Sequence, residues 1–306
     1  MDEVRDGVLD GSRDHGRILP RLLDEAYIMN RLLFVDTETR TIEATSCSIL
    51  EVGVVLWDID TRSVLSTWSS IVHREPINEA EAINRIPPAL LVAGEPWERV
   101  CDRLWDSMRE ADVLLAHNAV FDRTHIAANG GMHMGGIPPW VCTFEDMDWP
   151  SVPGSHALTA IALAYDVGIV QAHRALADVT LMARLFERMA ERGEDIRALL
   201  TRALRPKGFF KALVPYEERE LAKTARFRWN DPIEGAWTKN VALEDVGLLP
   251  FRVQRIDEKG EPWLDPAFCN SLHPTELRNP PLRCQAPVKH SGCHVAAVSP
   301  TLTKTW

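Results

Sequence analysis

An apolar run, Leu32-Leu33-Phe34-Val35, leads directly into Asp36-Thr37-Glu38-Thr39. A short apolar run of this length reads as a buried strand. Strand side chains alternate with period two, so Asp36 and Glu38 lie on the same face. A buried strand that delivers two carboxylates restricts the chain severely, because unpaired buried charge is costly and something must neutralise it. Two further segments carry acids in similar settings. Val113-Leu114-Leu115-Ala116-His117-Asn118-Ala119-Val120-Phe121-Asp122 is an apolar strand running up to an acid, and His173-Arg174-Ala175-Leu176-Ala177-Asp178 sets a histidine five residues ahead of one. Hard divalent cations neutralise such groups, and Mg²⁺ is typically held by a few carboxylates together with phosphate oxygens. An Asp-x-Glu alone is more often a solvated strand end than a ligand pair. Three ordered acidic motifs favour a catalytic metal centre.

The motifs Asp36-x-Glu38, Asp122 and His173-x4-Asp178 resemble the three exonuclease motifs of the DEDDh 3′→5′ exonucleases. That family includes the proofreading subunit of bacterial replicative polymerase, ribonuclease T and oligoribonuclease. Ile49-Leu50-Glu51-Val52-Gly53-Val54-Val55 falls where the family has its second strand, and the resemblance covers about residues 30–190. Arg40 is a departure, standing where the family commonly has glycine after Asp-Thr-Glu-Thr. The resemblance implies a ribonuclease H-like α/β fold, a mixed sheet flanked by helices. It also implies a hydrolase that releases nucleoside 5′-monophosphates from the 3′ end of DNA, with two divalent ions, Mg²⁺ or Mn²⁺, as cofactors. Asp36, Glu38, Asp122 and Asp178 would be the metal ligands.

His173 suits the role of general base, since an unperturbed imidazole titrates near pH 6.5. Thr37, Thr39, His117, Asn118, Phe121 and Arg174 are candidate substrate contacts. For His117 a hydrogen bond that fixes the strand-to-helix turn is the stronger reading. For Phe121 a core position, and for Arg174 a surface position, stand level with a contact to substrate. An exoribonuclease is the alternative within the enzyme class, because the ligand set is indifferent to the 2′-hydroxyl. A weakly active scaffold subunit is the alternative outside it, and the intact acidic set speaks against that. The expected partners are nucleic acid, DNA before RNA, and a polymerase or other DNA-processing complex.

The 306 residues suggest about two domains. No apolar run is long enough to span a membrane, and the N-terminus lacks the layout of a signal peptide, so a cytoplasmic location is expected. Cys47, Cys101 and Cys142 sit among apolar neighbours and read as packed, reduced thiols. The net charge of −10 is unevenly spread: 202–260 holds 12 Lys and Arg against 9 Asp and Glu, leaving the acidity to the first 200 residues. Residues 1–29 read as an N-terminal arm with Met1 or Met29 as the start, and 30–200 as the exonuclease domain. Strands are expected at 31–36, 48–57, 63–72 and 112–116. Helices are expected at 97–110, from just after Asp122 to Gly130, at 156–165 and at 175–192. Residues 135–140 read as loop.

Residues 205–260 read as a small α+β module. Leu213-Val214-Pro215-Tyr216-Glu217-Glu218-Arg219 through Asn230, with Trp237-Thr238-Lys239, resembles a module found beside phage and plasmid primases. Arg226, Arg228 and Lys239 interleave with Trp229 and Trp237, the pattern by which single strands are held without sequence preference. The equally weighted alternative is a small core built on the two tryptophans with solvated arginines around it. The proline-rich stretch 261–306 reads as a disordered tail. Its Cys269, His273, Cys284, His290, Cys293 and His294 lack the clean paired spacing of a zinc site.

Overall fold

The computed structural model describes residues 29–130, 137–149, 156–257 and 259–263. The N-terminal arm, the proline-rich tail and its cysteines and histidines therefore lie outside the described residues, apart from 29 and 261–263. The chain divides after Leu200 into two compact units.

The first unit is built on a five-stranded sheet ordered β3-β2-β1-β4-β5. Strands β1 (Arg31–Thr39), β2 (Ile49–Asp58) and β3 (Ser63–Ile71) form an antiparallel meander. Short helices α1 (Glu81–Asn84) and α2 (Pro88–Leu91) and the longer α3 (Trp97–Arg109) follow. Strand β4 (Val113–Ala116) then pairs parallel to β1. Helix α4 (Ala119–Ala128) leads on to β5 (Trp140–Cys142), which is parallel to β4. Helices α5 (Leu158–Ala164) and α6 (Ala175–Glu191) complete the order, and α7 (Ile196–Ala203) spans the division after Leu200. This is the mixed sheet flanked by helices of the ribonuclease H-like fold.

Alternation along β1 decides which helix covers which face. Leu33 and Val35 pack with Val100, Leu104 and Met108 of α3 in the main core. Phe34, one residue out of phase, meets Phe186 of α6 edge to face at 5.0 Å. Asp36 and Glu38 continue the Phe34 side of the strand, so they lie on the face that α6 covers. Gly53, paired with Asp36 across β1 and β2, is what lets α6 come close. A Cβ there would stand 2.5 Å from the Ala175 carbonyl carbon and 2.6 Å from the Leu176 nitrogen.

Strand β1 runs three residues beyond the expected 31–36 and helix α7 was not expected; two further differences bear on the site. Strand β5 begins at Trp140, the last residue of the stretch read as loop, and was not expected, because three residues preceded by glycines and prolines leave no periodicity to detect. Helix α4 begins at Ala119, so Asp122 lies inside its first turn and not at a strand end. The turn is entered through Asn118 at φ 71, a left-handed conformation that asparagine tolerates better than most residues. Cys142 is buried, and burial pushes its thiol up to about 12, as expected of an inert packed cysteine. Cys47 is exposed instead, because β2 begins only at Ile49 and leaves it in the preceding turn.

The second unit is a four-stranded antiparallel sheet in the order β7-β8-β6-β9. Its elements are β6 (Lys207–Ala212), α8 (Arg219–Thr224), β7 (Arg228–Trp229), β8 (Trp237–Ala242) and β9 (Val253–Arg255). The core is Phe210, Ala212, Ala222, Phe227 and Val241, with Phe227 edge to face on Phe251 at 5.3 Å. Trp237 only flanks this core, and Trp229 is 52% exposed. Among the described residues no helix is long and apolar enough to cross a membrane.

Candidate active site

Three carboxylates converge on the α6 face of β1. Oxygen atoms of Asp36, Glu38 and Asp178 all lie within 4.8 Å of one another. Asp36 and Glu38 are each 2% exposed and Asp178 is 9% exposed. Charges this close and this buried repel one another and lack solvent. A hard divalent cation is the group whose chemistry matches an all-oxygen donor set of this kind. The residues present therefore fit the metal that the motifs imply.

Asp178 reaches the cluster from the first turn of α6, where the helix dipole favours negative charge. Its Oδ2 accepts the backbone N–H of His173 at 3.1 Å. That bond fixes the turn carrying His173, which has φ 63, in the left-handed region. Asp122 stands outside the 4.8 Å group. Its Oδ1 accepts both the backbone N–H and the hydroxyl of Thr37, at 2.9 and 2.8 Å, so it is tied to β1 between the other two acids. The imidazole of His173 likewise does not join the group of ligand atoms.

Glu51 is a residue to which the sequence motifs assigned no role. It lies directly across from Glu38 on β2 and is 2% exposed. Like charges in opposed strand positions destabilise a sheet. Here Glu51 is neutralised by Arg174, which donates from Nε at 2.8 Å and from Nη2 at 3.0 Å. Glu51 Oε2 also accepts the Ala175 N–H at 3.2 Å, capping the start of α6 from a different strand. The hydrogen bonds to Glu51, reinforced by the charges of Glu51 and Glu38, raise the pKa of Arg174 above its ordinary value. The pair clamps the segment His173–Asp178 to the sheet. The available signal was an acid in the middle of an otherwise apolar strand.

The candidate substrate contacts are mostly engaged within the protein. The hydroxyl of Thr39 donates to the Thr41 carbonyl at 2.8 Å. His117 Nδ1 shares a hydrogen bond with the Thr143 hydroxyl at 3.0 Å, which ties it to the residue following β5. Phe121 is buried against the His125 ring, with centroids 4.3 Å apart. Arg174 lines a cavity of about 330 Å³ with Glu51, Gln171 and Arg184. Arg40 is accommodated in the turn after β1, where its N–H donates to the Ser48 carbonyl at 2.9 Å.

The contact of Gly53 with α6 carries a prediction. Gly53→Ala must push the start of α6 outward, which moves Asp178 and His173 together. Overpacking of this kind costs about 1–3 kcal/mol of stability, and a misplacement of about 1 Å lowers the rate on the order of a hundredfold. Thermal unfolding and steady-state kinetics on the same preparation check both effects. Wild-type values in both would mean that the approach of α6 to the sheet does not set the site.

Residues 33–186, just over half of the chain, match the family described as Exonuclease, and residues 208–256 match a domain of unknown function, DUF8626. No curated protein matches the chain. Among solved structures, the chain is similar to exonuclease X in complex with 5′-overhanging duplex DNA: 24% identity, 56% of this chain and 99% of that one, TM-score 0.41. It is similar to the nuclease domain of 3′hExo, a DEDDh family member bound to rAMP: 18% identity, 55% of this chain and 94% of that one, TM-score 0.46. It is also similar to Escherichia coli ExoI in a zinc-bound complex with single-stranded DNA: 16% identity, 60% of this chain and 48% of that one, TM-score 0.46. With a family match spanning the whole acidic constellation from Asp36 to Asp178, the chain belongs to the exonuclease family.

Proposed function

We propose that the chain is a DEDDh-type 3′→5′ exonuclease that removes nucleoside 5′-monophosphates from single-stranded or frayed DNA. The convergence of Asp36, Glu38 and Asp178 within 4.8 Å is the observation that carries this reading. These carboxylates, with Asp122, would hold two divalent ions, Mg²⁺ or Mn²⁺. Such ions relieve charge on the entering and leaving oxygens of an in-line phosphoryl displacement. In this reading the protein's own contributions are three. Asp36 and Glu38 are presented by a rigid central strand. The clamp of Glu51 and Arg174 holds His173 and Asp178 in register with them. His173 takes the proton of the attacking water.

End-labelled DNA and RNA oligonucleotides of one sequence, incubated with Mg²⁺ or Mn²⁺, test the assignment. DNA is expected to shorten faster. Faster loss of RNA would move the chain to the exoribonucleases, and no loss of either would favour a scaffold subunit.

We assign to the second unit the handling of nucleic acid, because it carries cations and exposed aromatic rings behind an acidic catalytic domain. A chain ending at residue 204 retains every proposed ligand, so it is expected to hydrolyse short substrates. It is expected to bind long single strands more weakly and with a shallower salt dependence, since fewer phosphates are neutralised. Filter binding across a salt series checks this. Unchanged affinity would make the second unit a docking surface for another protein.

A further inference from the structure

Two of the three cations that the sequence pattern brings forward in the second unit are engaged internally. Arg228 Nη1 pairs with Asp231 Oδ2 at 3.0 Å, and Lys239 Nζ donates to the Ala225 carbonyl at 2.9 Å. The exposed aromatic surface lies elsewhere. A cleft of about 530 Å³ is lined by Tyr216, Trp229 and Trp237, with Lys211 and Arg219 at its walls. Tyr216 is 74% exposed and Trp229 is 52% exposed. The Trp229 and Trp237 rings sit 5.5 Å apart at 51°, forming a fixed aromatic corner. Arg219 lies over one face of Tyr216 at 4.1 Å and donates from Nη1 to the Tyr216 carbonyl at 3.0 Å, so ring and cation hold each other in place. Among the described residues, none of those lining the cleft is acidic.

We propose that this cleft, and not the stretch of Arg226, Arg228 and Lys239, is the single-strand-binding site of the second unit. In it a nucleobase stacks on Tyr216 or Trp229 and the adjoining phosphate meets Arg219 and Lys211. Three properties select this occupant. Open aromatic faces suit any base and give binding without sequence preference. The wall charge is wholly positive, matching a polyanion. The guanidinium of Arg219 is pre-oriented by its own tyrosine and presents a planar fork of donors suited to phosphate. An aromatic cleft also suits an extended proline-rich peptide, but such a peptide has no use for the two cations, Lys211 and Arg219, among the lining residues. The inference rests on the reading of the chain as a nucleic-acid enzyme, and it adds which surface of the second unit holds a single strand.

The test uses the full chain and a fluorescein-labelled twenty-nucleotide oligothymidylate in chelator, with binding read by anisotropy across a salt series. Tyr216→Ala, at a mostly exposed position, is expected to weaken binding roughly tenfold, the scale of one lost base stack, with the salt slope unchanged. Arg219→Gln is expected to weaken binding and to lower the slope of log K against log salt by about 0.7, one phosphate's worth for a single strand. Trp229→Phe, which keeps a ring beside Trp237, is expected to bind better than Trp229→Ala. Wild-type affinity in both Tyr216→Ala and Arg219→Gln would overturn the proposal. So would binding of a ten-residue oligoproline peptide that depends on Tyr216 and leaves the oligonucleotide in place. Magnesium-dependent hydrolysis of a five-nucleotide substrate by the wild type reports separately on the active centre, so either reading can fail alone.

Discussion

Replacing Asp36 with alanine is expected to reduce turnover by about a thousandfold or more while leaving the protein folded and, in chelator, no less stable than the wild type. The rate loss follows from removing a carboxylate that would hold charge-relieving metal, a contribution of several kcal/mol at about 1.4 kcal/mol per factor of ten. The stability outcome follows from the crowding of Asp36 with Glu38 and Asp178 within 4.8 Å, since one carboxylate fewer relieves repulsion. Asp178 is a less clean probe, because Asp178→Ala also removes the acceptor of the His173 backbone N–H. Asp178→Asn keeps an acceptor and is expected to lose activity as severely. Steady-state rates and thermal melts with and without Mg²⁺ distinguish these outcomes. Near-wild-type activity in Asp36→Ala would remove the carboxylate centre from the mechanism.

His173 is expected to give a loss of the order of 10²–10⁴-fold, the usual range for a general base, without loss of metal affinity. The backbone at this position has φ 63, a left-handed conformation that histidine and asparagine adopt more readily than alanine, so alanine alone would confound chemistry with conformation. Asparagine tolerates that conformation and lacks a base. His173→Asn and His173→Ala are therefore expected to fall to similar rates, and both to lose the acidic limb of the wild-type pH–rate profile. Isothermal titration with Mn²⁺ supplies the second readout. High activity in His173→Asn, or metal affinity reduced as far as in Asp36→Ala, would reassign His173 from proton transfer to structure.

The strand that carries Asp36 and Glu38 was legible because burial leaves an apolar run, and helices α3 and α6 were legible through their apolar spacing. The convergence of Asp36 and Glu38 with Asp178 required the fold, since nothing local says that α6 lies against β1. Asp122 was placed a turn too early because Asn118 bends the chain in a left-handed step that is invisible to periodicity. Glu51 went unassigned because its partner, Arg174, is 123 residues away. Gly53 carried no visible signal, because the backbone that crowds it belongs to another element. In the second unit the alternation of cations with tryptophans suggested a binding ribbon. Ion pairing and a carbonyl contact engage Arg228 and Lys239, and Tyr216 and the two tryptophans instead line a cleft with Arg219. Which charges remain available to a ligand is a property of three-dimensional neighbours.

The most direct measurement is mass analysis of the products formed from an unlabelled single-stranded DNA with Mg²⁺, beside the same reaction in excess chelator. Nucleoside 5′-monophosphates and a ladder of strands shortened only from the 3′ end are expected, with no product in chelator. Internal fragments, 3′-monophosphates, shortening from the 5′ end, or an equal yield in chelator would contradict the assignment.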